Sequence, residues 1–586
     1  MRFAVLFVSV LIAMATVIES VDAAGGNFVF AAVPPKERRV LDVQNRRVVL
    51  GDRFPSDVEP TCDVLIIGGG TGAIAAAEAV ARRYLSVIIV EPTASLGGQL
   101  TAQLVSAPDE NSHIEKPNGP STSAYRRLRE RVRELSAALP NAKPGAAKNI
   151  GQGWVSRVCA PPELWEQAIR ERVTYWSGNR GIKRIYLRHQ VRAIETLSNG
   201  LVNYADVVNL DTGKMIRIGA RYMIDATEDG EALHLAGCPT TIGQEAKSTY
   251  NEPHAPDEAR PDWVQSFTYC FLLNWREDAA SRTAVERPAE YEYFKSLGEY
   301  TLDYVYSERG TVTYKVLTKA EGSGGPFWTY RRLLAANSFV GGKSPDGDVA
   351  LMNWRGNDFH EETYLGKPLE EQVRILERGK QFAQGFCWWL QNECPRDDGN
   401  GFGYPEMQLI TGGDETLVNG IGNDGFAIAP YVRESRRLLA TSMLTENDMV
   451  APPDNPGAKW GTEFPDSVGC ALYAVDIHPA KGEPHLLLPA IPYHLPLGSF
   501  LTTGGPANIL PGAKNFGASR LALASARMHP TEWLAGEVAG TLAAFCIGRE
   551  MNRPNPVRDS PELLAAFQAE LRGWGVTLSW RDLLGE

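Results

Sequence analysis

Residues 62–73 read CDVLIIGGGTGA, an apolar run followed at once by a glycine-rich turn. The β-branched run from Val64 to Ile67 indicates a strand that is buried on both faces. Ala73 to Arg83 is rich in alanine and predicts a helix, and Ser86 to Val90 predicts a second strand. The stretch therefore predicts one strand–helix–strand unit, with the glycine turn at the junction of the first strand and the helix.

The small residues of this turn fit the geometry of a dinucleotide site. In such a site Gly68 allows the tight turn, Gly70 lets the backbone approach a pyrophosphate, and Ala73 lets the helix pack against the strand. The helix N-terminus, where Gly72 lies, offers free N–H groups and a positive dipole end to the phosphates. Glu91 ends the second strand 21 residues after Gly70, where its carboxylate can accept hydrogen bonds from ribose hydroxyls. A glycine turn without a ligand is the alternative, and the strand, helix and acidic residue together favour the dinucleotide.

Three later segments favour FAD over NAD as the cofactor. Gly97-Gly98-Gln99 follows the acidic strand, where flavoproteins place a second glycine pair beside the pyrophosphate and the isoalloxazine. Lys214 to Arg217 is predicted as one strand of a hairpin, and Arg221 to Asp225 as a separate apolar strand. Residues 222–230, which include Asp225-Ala226-Thr227, resemble the strand that returns to the nucleotide. Asn515 and Pro530 lie in residues 509–540, which resemble the closing FAD motif. In that motif a helix N-terminus faces the flavin, and its dipole can stabilise the anionic reduced form.

Several motifs, in the expected order, resemble the FAD-dependent oxidoreductase family. They are GGQLT at 97–101, VS at 105–106, PDE at 108–110, GWVSR at 153–157, QSFTY at 265–269, NWxGND at 353–358 and PYVRESRR at 430–437. The resemblance covers most of Cys62 to Gly548. It implies bound FAD, redox chemistry and the fold of glutathione reductase and fumarate reductase flavoproteins, with no particular substrate. Where relatives often have a histidine after the PDE motif, this chain has Asn111, and His113 comes two residues later.

The predicted fold class is α/β: a Rossmann-like FAD-binding domain of three layers with a parallel central sheet, and an inserted mixed α+β substrate or cap domain. The predicted divisions are a signal peptide at 1–23, an N-terminal extension at 24–60, the first part of the FAD-binding domain at 61–242, the inserted region at 243–430, the closing part at 431–550 and a C-terminal helical tail at 551–586. The N-terminal extension has weak periodicity, so regular structure is expected to begin at Asp63.

The first residues predict export. Met1-Arg2 is a short basic start, Phe3 to Ile18 is an apolar run, and Val21-Asp22-Ala23 fits a cleavage pattern of small residues. The run is shorter than the roughly 20 residues that span a bilayer. A periplasmic or secreted protein without a stable membrane span after cleavage is therefore expected, with an uncleaved signal anchor as the alternative. The formal charge of −11 argues against a nucleic-acid partner.

His529 and Arg433 are the predicted catalytic residues. His529 belongs to the closing motif, where an acid or base can serve the flavin, although it could instead only hold flavin or backbone. Arg433 lies in a dense charged group that could grip a substrate carboxylate or form a solvated helix terminus. Further candidates for the pocket are Asp109, Glu110, His485, Tyr493, His494 and Arg527.

The eight cysteines predict no metal site, because no CxxC pair or Cys/His cluster has zinc spacing. Export permits disulfides, and Cys387 with Cys394 is the one local pair. Cys62 opens a core strand and is expected to be a buried thiol.

Together these features predict an exported FAD-dependent oxidoreductase, a dehydrogenase or an oxidase. It would transfer a hydride between a small organic substrate and tightly bound FAD, and pass electrons to an unidentified acceptor. Two alternatives stay open: a reductase of the fumarate-reductase type and a non-catalytic flavin-binding electron carrier. The large inserted region disfavours the carrier, and export disfavours dependence on NAD(P)H.

Overall fold

The computed structural model describes residues 37–55, 60–111, 113–116, 119–278, 284–306, 310–342, 347–412 and 420–584. The predicted signal peptide and its cleavage pattern lie outside these residues. The first part of the chain forms strands β1 (Arg39–Asp42), β2 (Arg47–Leu50), β3 (Thr61–Ile67), β4 (Val87–Glu91), β5 (Ile182–Leu187), β6 (His189–Thr196), β7 (Val202–Asn209), β8 (Met215–Asp225) and β9 (Thr240–Thr241), and helices α1 (Thr71–Ala81), α2 (Ser123–Ala137), α3 (Pro162–Tyr175) and α4 (Glu231–Leu235).

The central sheet is built around β3, the strand that carries the glycine turn. β3 pairs in parallel with β4 and β8, and β4 pairs in parallel with β5. β7 adds to β8 and β6 adds to β7, both antiparallel, in the spatial order β5-β4-β3-β8-β7-β6. Val64, Leu65, Ile66 and Ile67 are at most 2% exposed, as expected for a strand covered on both faces. The predicted α/β class with a parallel-containing sheet is confirmed.

Two expectations for this part were wrong. Regular structure begins before Asp63, because β1 and β2 form an antiparallel hairpin whose Leu41 and the following Val43 pack on a core formed mainly by the inserted region. The strands predicted at 214–217 and 221–225 are joined in the single strand β8, which begins at Met215. That strand is continuous because its first half pairs with β7 and its second half with β3.

The inserted region folds around an aromatic core of its own. Its strands are β10 (Phe267–Thr268), β11 (Phe271–Trp275), β12 (Asp303–Tyr306), β13 (Gly310–Thr313), β14 (Arg332–Leu334), β15 (Val349–Met352), β16 (Asp358–Phe359) and β17 (Met407–Leu409), and its helices are α5 (Lys247–Tyr250), α6 (Tyr291–Ser296) and α7 (Leu369–Asn392). β14, β15, β11 and β17 form an antiparallel sheet. The long helix α7 packs directly on β10, since a Cβ at Gly379 would lie 2.4 Å from the Phe267 ring.

The closing part returns to the central sheet. It contains strands β18 (Tyr431–Val432), β19 (Arg437–Leu438), β20 (Ser467–Ala471), β21 (Val475–Ile477), β22 (Leu486–Leu488), β23 (Tyr493–Pro496) and β24 (Ile509–Pro511), and helices α8 (Arg520–Ala526), α9 (His529–Ile547), α10 (Asn555–Asp559), α11 (Pro561–Gly573) and α12 (Trp580–Leu584). β24 pairs in parallel with the end of β8, with Pro511 opposite Asp225. β18 instead joins β10 and β16 in a three-stranded sheet, which links the closing part to the inserted region.

The remaining sequence expectations concern membranes and thiols. No helix within the described ranges has the length and hydropathy needed to cross a bilayer. All eight cysteines are buried free thiols, so Cys387 and Cys394 form no disulfide. Cys387 lies on the fully buried side of α7, where its thiol packs in the aromatic core. Cys62 is 8% exposed, which confirms the expected buried thiol.

Candidate functional site

A cradle for an anion lies where β3 passes into α1. Gly68 has a φ of 107°, and a Cβ there would lie 2.1 Å from the carbonyl oxygen of Ala226. Gly70 is the N-cap of α1 and supplies no side-chain cap. The N–H groups of the first helical turn therefore lack the capping partner that a polar side chain would give, and the dipole favours negative charge beside them.

The glycine turn also allows the surrounding backbone to close in. A Cβ at Gly72 would lie 2.0 Å from the carbonyl oxygen of Gly512, which follows β24. Ala73 is fully buried in the same core. The residue that follows β24 packs directly against the turn, so only residues without a large side chain fit at positions 72 and 73.

Glu91 closes the cradle on the side of β4. It is 7% exposed, and its Oε1 accepts a hydrogen bond from the Thr93 N–H at 2.8 Å. Burial raises the pKa of Glu91 to about 7. Glu231 faces the same cavity, and burial raises its pKa to about 8. Carboxyl groups that hold their protons near neutral pH can donate hydrogen bonds to ribose or phosphate oxygens and repel the cofactor less than ionised ones.

Six of the predicted cofactor residues line one pocket of about 760 Å³, including its opening to solvent. They are Gly68, Gly70, Glu91, Gly98, Ala226 and Thr227. Gln103 also lines it and is 1% exposed, and its side-chain oxygen has no hydrogen-bond partner. A glycine cradle, a helix N-terminus, a buried acidic residue and an amide oxygen without a hydrogen-bond partner are features that a dinucleotide satisfies, so the residues present fit FAD.

The other predicted cofactor residues support this cavity from behind. Asp225 accepts hydrogen bonds from the N–H groups of Thr227 and Leu233, and burial raises its pKa to about 6. Asn515 donates to the carbonyl oxygen of Asp225 at 3.0 Å. Gly97 has a φ of 111°, Gln99 donates to Glu532, and Pro530 lies in the first turn of α9. These contacts fix the strand and helix ends around the cradle.

Strand β18 separates the nucleotide cavity from a second cavity. Pro430 and Val432 line the nucleotide cavity, whereas Tyr431 and Arg433 line the second one. This division follows from the alternation of side chains along an extended strand. The second cavity has a volume of about 1130 Å³, including its opening to solvent. It is lined by tyrosines, arginines, aspartates and histidines, which come from the inserted region and the closing part except for Asp109 from the first part.

Arg433 faces this second cavity, but its guanidinium is held by protein. One terminal nitrogen donates to Ser266 O at 3.0 Å and Thr268 Oγ1 at 2.6 Å, and the other to Asn353 Oδ1 at 3.2 Å and Asp358 Oδ1 at 2.9 Å. The predicted role in gripping a substrate stays a prediction, and the geometry favours a structural ion pair. The alternative of a solvated helix terminus is wrong, because Arg433 is 1% exposed.

His529 is fully buried at the start of α9. Its Nδ1 accepts a hydrogen bond from the Asp109 N–H, and its Nε2 lies 3.2 Å from the carbonyl oxygen of Val105. Burial lowers the pKa of His529 to about 4, so the ring is neutral. Because Nδ1 accepts a hydrogen bond, Nε2 carries the proton and donates a hydrogen bond to the carbonyl oxygen of Val105. Both nitrogens therefore hold the loop that follows the second glycine pair, and the catalytic role of His529 stays a prediction.

The weaker candidates divide between the cavity and the core. Asp109, His485 and Arg527 line the second cavity. Glu110 pairs with Arg129, Tyr493 bonds Ser525, and both ring nitrogens of His494 contact backbone. Residues that sequence reasoning missed include Arg331, Asp476 and His478 in the second cavity and Glu228 and Tyr364 in the first. Of these, only Glu228 lies in a motif that pointed to the site.

A cradle for a dinucleotide beside a separate polar cavity defines a nucleotide-dependent oxidoreductase of the α/β class. The family model described as FAD dependent oxidoreductase matches residues 63–571, and the chain belongs to this family. The description of the family names FAD as the cofactor and oxidoreduction as the chemistry, as the resemblance implied. No curated protein matches the chain.

Three solved structures resemble the chain over limited segments. L-proline dehydrogenase from P. horikoshii is 21% identical over 30% of this chain and 24% of its own, with a TM-score of 0.17. Adenylylsulfate reductase from Archaeoglobus fulgidus is 19% identical over 34% and 33%, with a TM-score of 0.20. A flavocytochrome c3 fumarate reductase is 16% identical over 29% and 34%, with a TM-score of 0.19. The chain thus spans about a third or less of each of these structures.

Proposed function

We propose that the chain is an exported FAD-dependent dehydrogenase or oxidase that transfers a hydride between a small organic substrate and tightly bound FAD. The observation that carries this proposal is the pair of cavities on the two faces of β18. One has the glycine cradle and the acidic residue for the nucleotide, and the other has room for a small molecule beside it. Flavin supplies hydride chemistry when bound, and the protein positions the substrate and handles the proton.

His485 is the side chain best suited to accept that proton. It lines the second cavity beside Tyr304, with the two rings 6.0 Å apart in an edge-on arrangement. Burial lowers the pKa of His485, so the imidazole is neutral near pH 7 and has a free lone pair. Its ring nitrogens have no hydrogen-bond partner among the described residues, in contrast to those of His529 and His494.

The second cavity bears differently on the two alternative functions. An electron carrier has no use for a cavity lined by charged and polar side chains beside the nucleotide, which favours turnover of a substrate. A reductase of the fumarate-reductase type would use the same cavity and differ only in the direction of electron flow. The choice between oxidation and reduction therefore depends on measurement with defined donors and acceptors.

The purified protein tests the cofactor and the reaction separately. Flavin absorbance bands, and their loss on unfolding with release of FAD, are expected. Anaerobic bleaching of the flavin by an organic substrate supports the dehydrogenase or oxidase. Peroxide formation in air then identifies an oxidase, whereas turnover only with a dye acceptor identifies a dehydrogenase. Dye oxidation coupled to an unsaturated acid, without bleaching by any reduced substrate, would replace the proposal with the reductase.

Export is tested with the full chain in a bacterial host. The expected product is a periplasmic or secreted protein whose intact mass begins at residue 24, after cleavage behind Val21-Asp22-Ala23. A Ser substitution series through the apolar run from Phe3 to Ile18 should retain the precursor in the cytoplasm. A mature protein that keeps Met1 and remains in the membrane would instead identify an uncleaved signal anchor.

A further inference from the structure

The second cavity contains three buried arginines, and their partners differ. Arg331 forms a two-point ion pair with Asp109, at 3.0 and 3.1 Å. Arg433 pairs with Asp358 at 2.9 Å. Arg527 is 3% exposed, and no ion pair joins it to a carboxylate of the described residues. A buried guanidinium without a paired anion is costly, so Arg527 marks a position where an anionic ligand would be stabilised.

The guanidinium of Arg527 has hydrogen-bonding capacity left over. One terminal nitrogen donates to the hydroxyl of Tyr431 at 2.8 Å, and the other to the backbone oxygen of Asp476 at 3.2 Å. Its Nε is buried without a partner. An arginine has five N–H groups in a fork that matches a carboxylate, and at least three remain available here.

Asp476 provides an acceptor beside this cation. Its Oδ1 is buried without a hydrogen-bond partner, and its Oδ2 lies 3.4 Å from His478 Nε2. Burial alone would raise the pKa of Asp476, but His478 and Arg527 lower it well below the ordinary range, so the carboxylate stays ionised. The Arg527 guanidinium and Asp476 Oδ1 lie close to each other, because the guanidinium donates a hydrogen bond to the backbone oxygen of Asp476.

The surrounding tyrosines add donors rather than charges. Tyr304 and Tyr473 line the cavity, and their hydroxyls have no hydrogen-bond partner among the described residues. The negative charge of Asp476, together with burial, raises the pKa of Tyr304, and burial raises that of Tyr473 well above its ordinary value. Both hydroxyls therefore remain protonated, and both can donate to ligand oxygens.

From this arrangement we propose that the second cavity binds a small carboxylic acid that carries a hydrogen-bond donor on the carbon next to the carboxylate, that is, a 2-hydroxy or 2-amino acid. The carboxylate lies on Arg527, and the hydroxyl or ammonium donates to Asp476 Oδ1. The aromatic walls formed by Tyr304 and Trp354 contact the body of the acid. The inference deepens the proposed function and rests on it.

The chemistry of such an acid is consistent with the cofactor. Its two-electron oxidation breaks the C2–H bond and one O–H or N–H bond. The hydride is accepted by FAD and the proton by a base of the protein, and the product is a 2-oxo or 2-imino acid. His485 lines the same cavity as Asp476, so the proton that leaves by way of Asp476 Oδ1 has a neutral acceptor without a further reactant.

The test measures binding to the flavin-containing protein by calorimetry, with the flavin pre-reduced under argon and excess reductant removed so that turnover does not follow. The probes are mandelate, phenylglycine, phenylacetate, which lacks the second donor, and mandelamide, which lacks the charge. Mandelate or phenylglycine should bind about tenfold or more tightly than both phenylacetate and mandelamide, as expected for loss of one charge-assisted contact. Equal affinities for all four would overturn the proposed substrate class.

Variants assign the contacts. Arg527→Lys and Arg527→Met should lower the affinity for the favoured ligand at least about tenfold. Arg53→Met, at an exposed residue, is the control and should leave that affinity unchanged. Asp476→Asn distinguishes the 2-amino acid from the 2-hydroxy acid. The affinity for phenylglycine should fall about tenfold, because its ammonium loses a charged partner. The affinity for mandelate should change less than about threefold, because the amide oxygen of Asn still accepts a hydrogen bond. Unchanged binding by both Arg527 variants and Asp476→Asn would overturn the assignment.

Flavin absorbance recorded on the same samples keeps the two proposals distinguishable. A flavin-containing protein without the expected ligand preference overturns the substrate class and leaves the FAD-dependent function standing. A protein that binds no flavin overturns both. Melting temperatures of all variants identify any that fail to fold, and Asp476→Asn, which preserves side-chain shape, remains informative if the Arg527 variants do not fold.

Discussion

A Cβ at Gly536 would lie 1.9 Å from the carbonyl oxygen of Gly72, so α9 and α1 touch backbone to backbone. The contact is repeated one turn later, where a Cβ at Gly540 would lie 2.4 Å from the carbonyl oxygen of Ala76. Since the N-terminus of α1 forms the anion cradle, the helix from the far end of the chain fixes the position of the nucleotide site.

Gly536→Ala should therefore lower both stability and FAD content. The added methyl has no space and must push α1 away from α9, which we expect to cost about 1–3 kcal/mol as other overpacked sites do. The measurement is the melting temperature together with the ratio of flavin to protein absorbance. Gly573→Ala in α11, where no atom lies within 4 Å of the added Cβ, is the matched control and should be neutral or slightly stabilising. Equal behaviour of the two variants would show that the helices tolerate separation.

Glu91 should make the FAD-free protein less stable as the pH rises. Its folded-state pKa of about 7 lies above the ordinary value of 4.5. The stabilisation from its protonation is present below that ordinary value and is lost as the pH rises through 7. The loss is on the order of 3 kcal/mol, and Glu91→Gln should remove it. Denaturant unfolding between pH 5 and 8 measures the slope. Glu130→Gln, at a surface ion pair, should keep the wild-type slope, and an unchanged slope in Glu91→Gln would contradict the assignment.

His485 and His529 give opposite expectations for the proton acceptor. His485→Asn should slow flavin reduction by substrate about 10²- to 10⁴-fold with the flavin spectrum intact. Because burial lowers the pKa of His485, the wild-type rate should rise with pH only below about 6.5 and be flat above it. His529→Asn should mainly lower the melting temperature, because it releases the backbone of Val105 and Asp109. His189→Asn on β6 is the control. A slow, well-folded His529→Asn variant would return the proton-transfer role to His529.

The nucleotide half could be predicted from sequence because its signals are local. The apolar run, the glycines and Glu91 are contiguous or regularly spaced, and each has one geometric reason to be where it is. The sequence predicts two strands in place of β8, because Ile218-Gly219-Ala220 weakens the strand pattern. In the structure, pairing with β7 and β3 keeps the strand continuous through these residues. The hairpin β1–β2 was missed because its partners lie far along the chain, in β6 and α7.

The second cavity could not be predicted because no segment contains it. Arg331, Asp476 and Arg527 come from the inserted region and two parts of the closing region, and only folding brings them together. In the charged run at 430–437, residues that are close in sequence do not act as one group. There Arg433 turns to Asp358, while Arg437 bonds Glu245 and Glu434, so neighbouring charges serve different buried networks.

The Arg433–Asp358 pair provides the last test, because a structural and a substrate-binding role predict different results. Arg433→Met leaves a buried carboxylate without its cation and should cost about 3–5 kcal/mol of unfolding free energy. Arg433 and His478 hold the pKa of Asp358 well below its ordinary range, although burial alone would raise it. The pair's stabilisation is therefore present above about pH 4 and is lost as the pH falls further. Asp358→Asn in the Arg433→Met background should recover part of the loss, since the uncompensated charge is gone. Urea unfolding at pH 7 and pH 4 measures both effects. A stable Arg433→Met variant with a raised KM and unchanged kcat would instead show that Arg433 holds the substrate, as its position in the sequence first indicated.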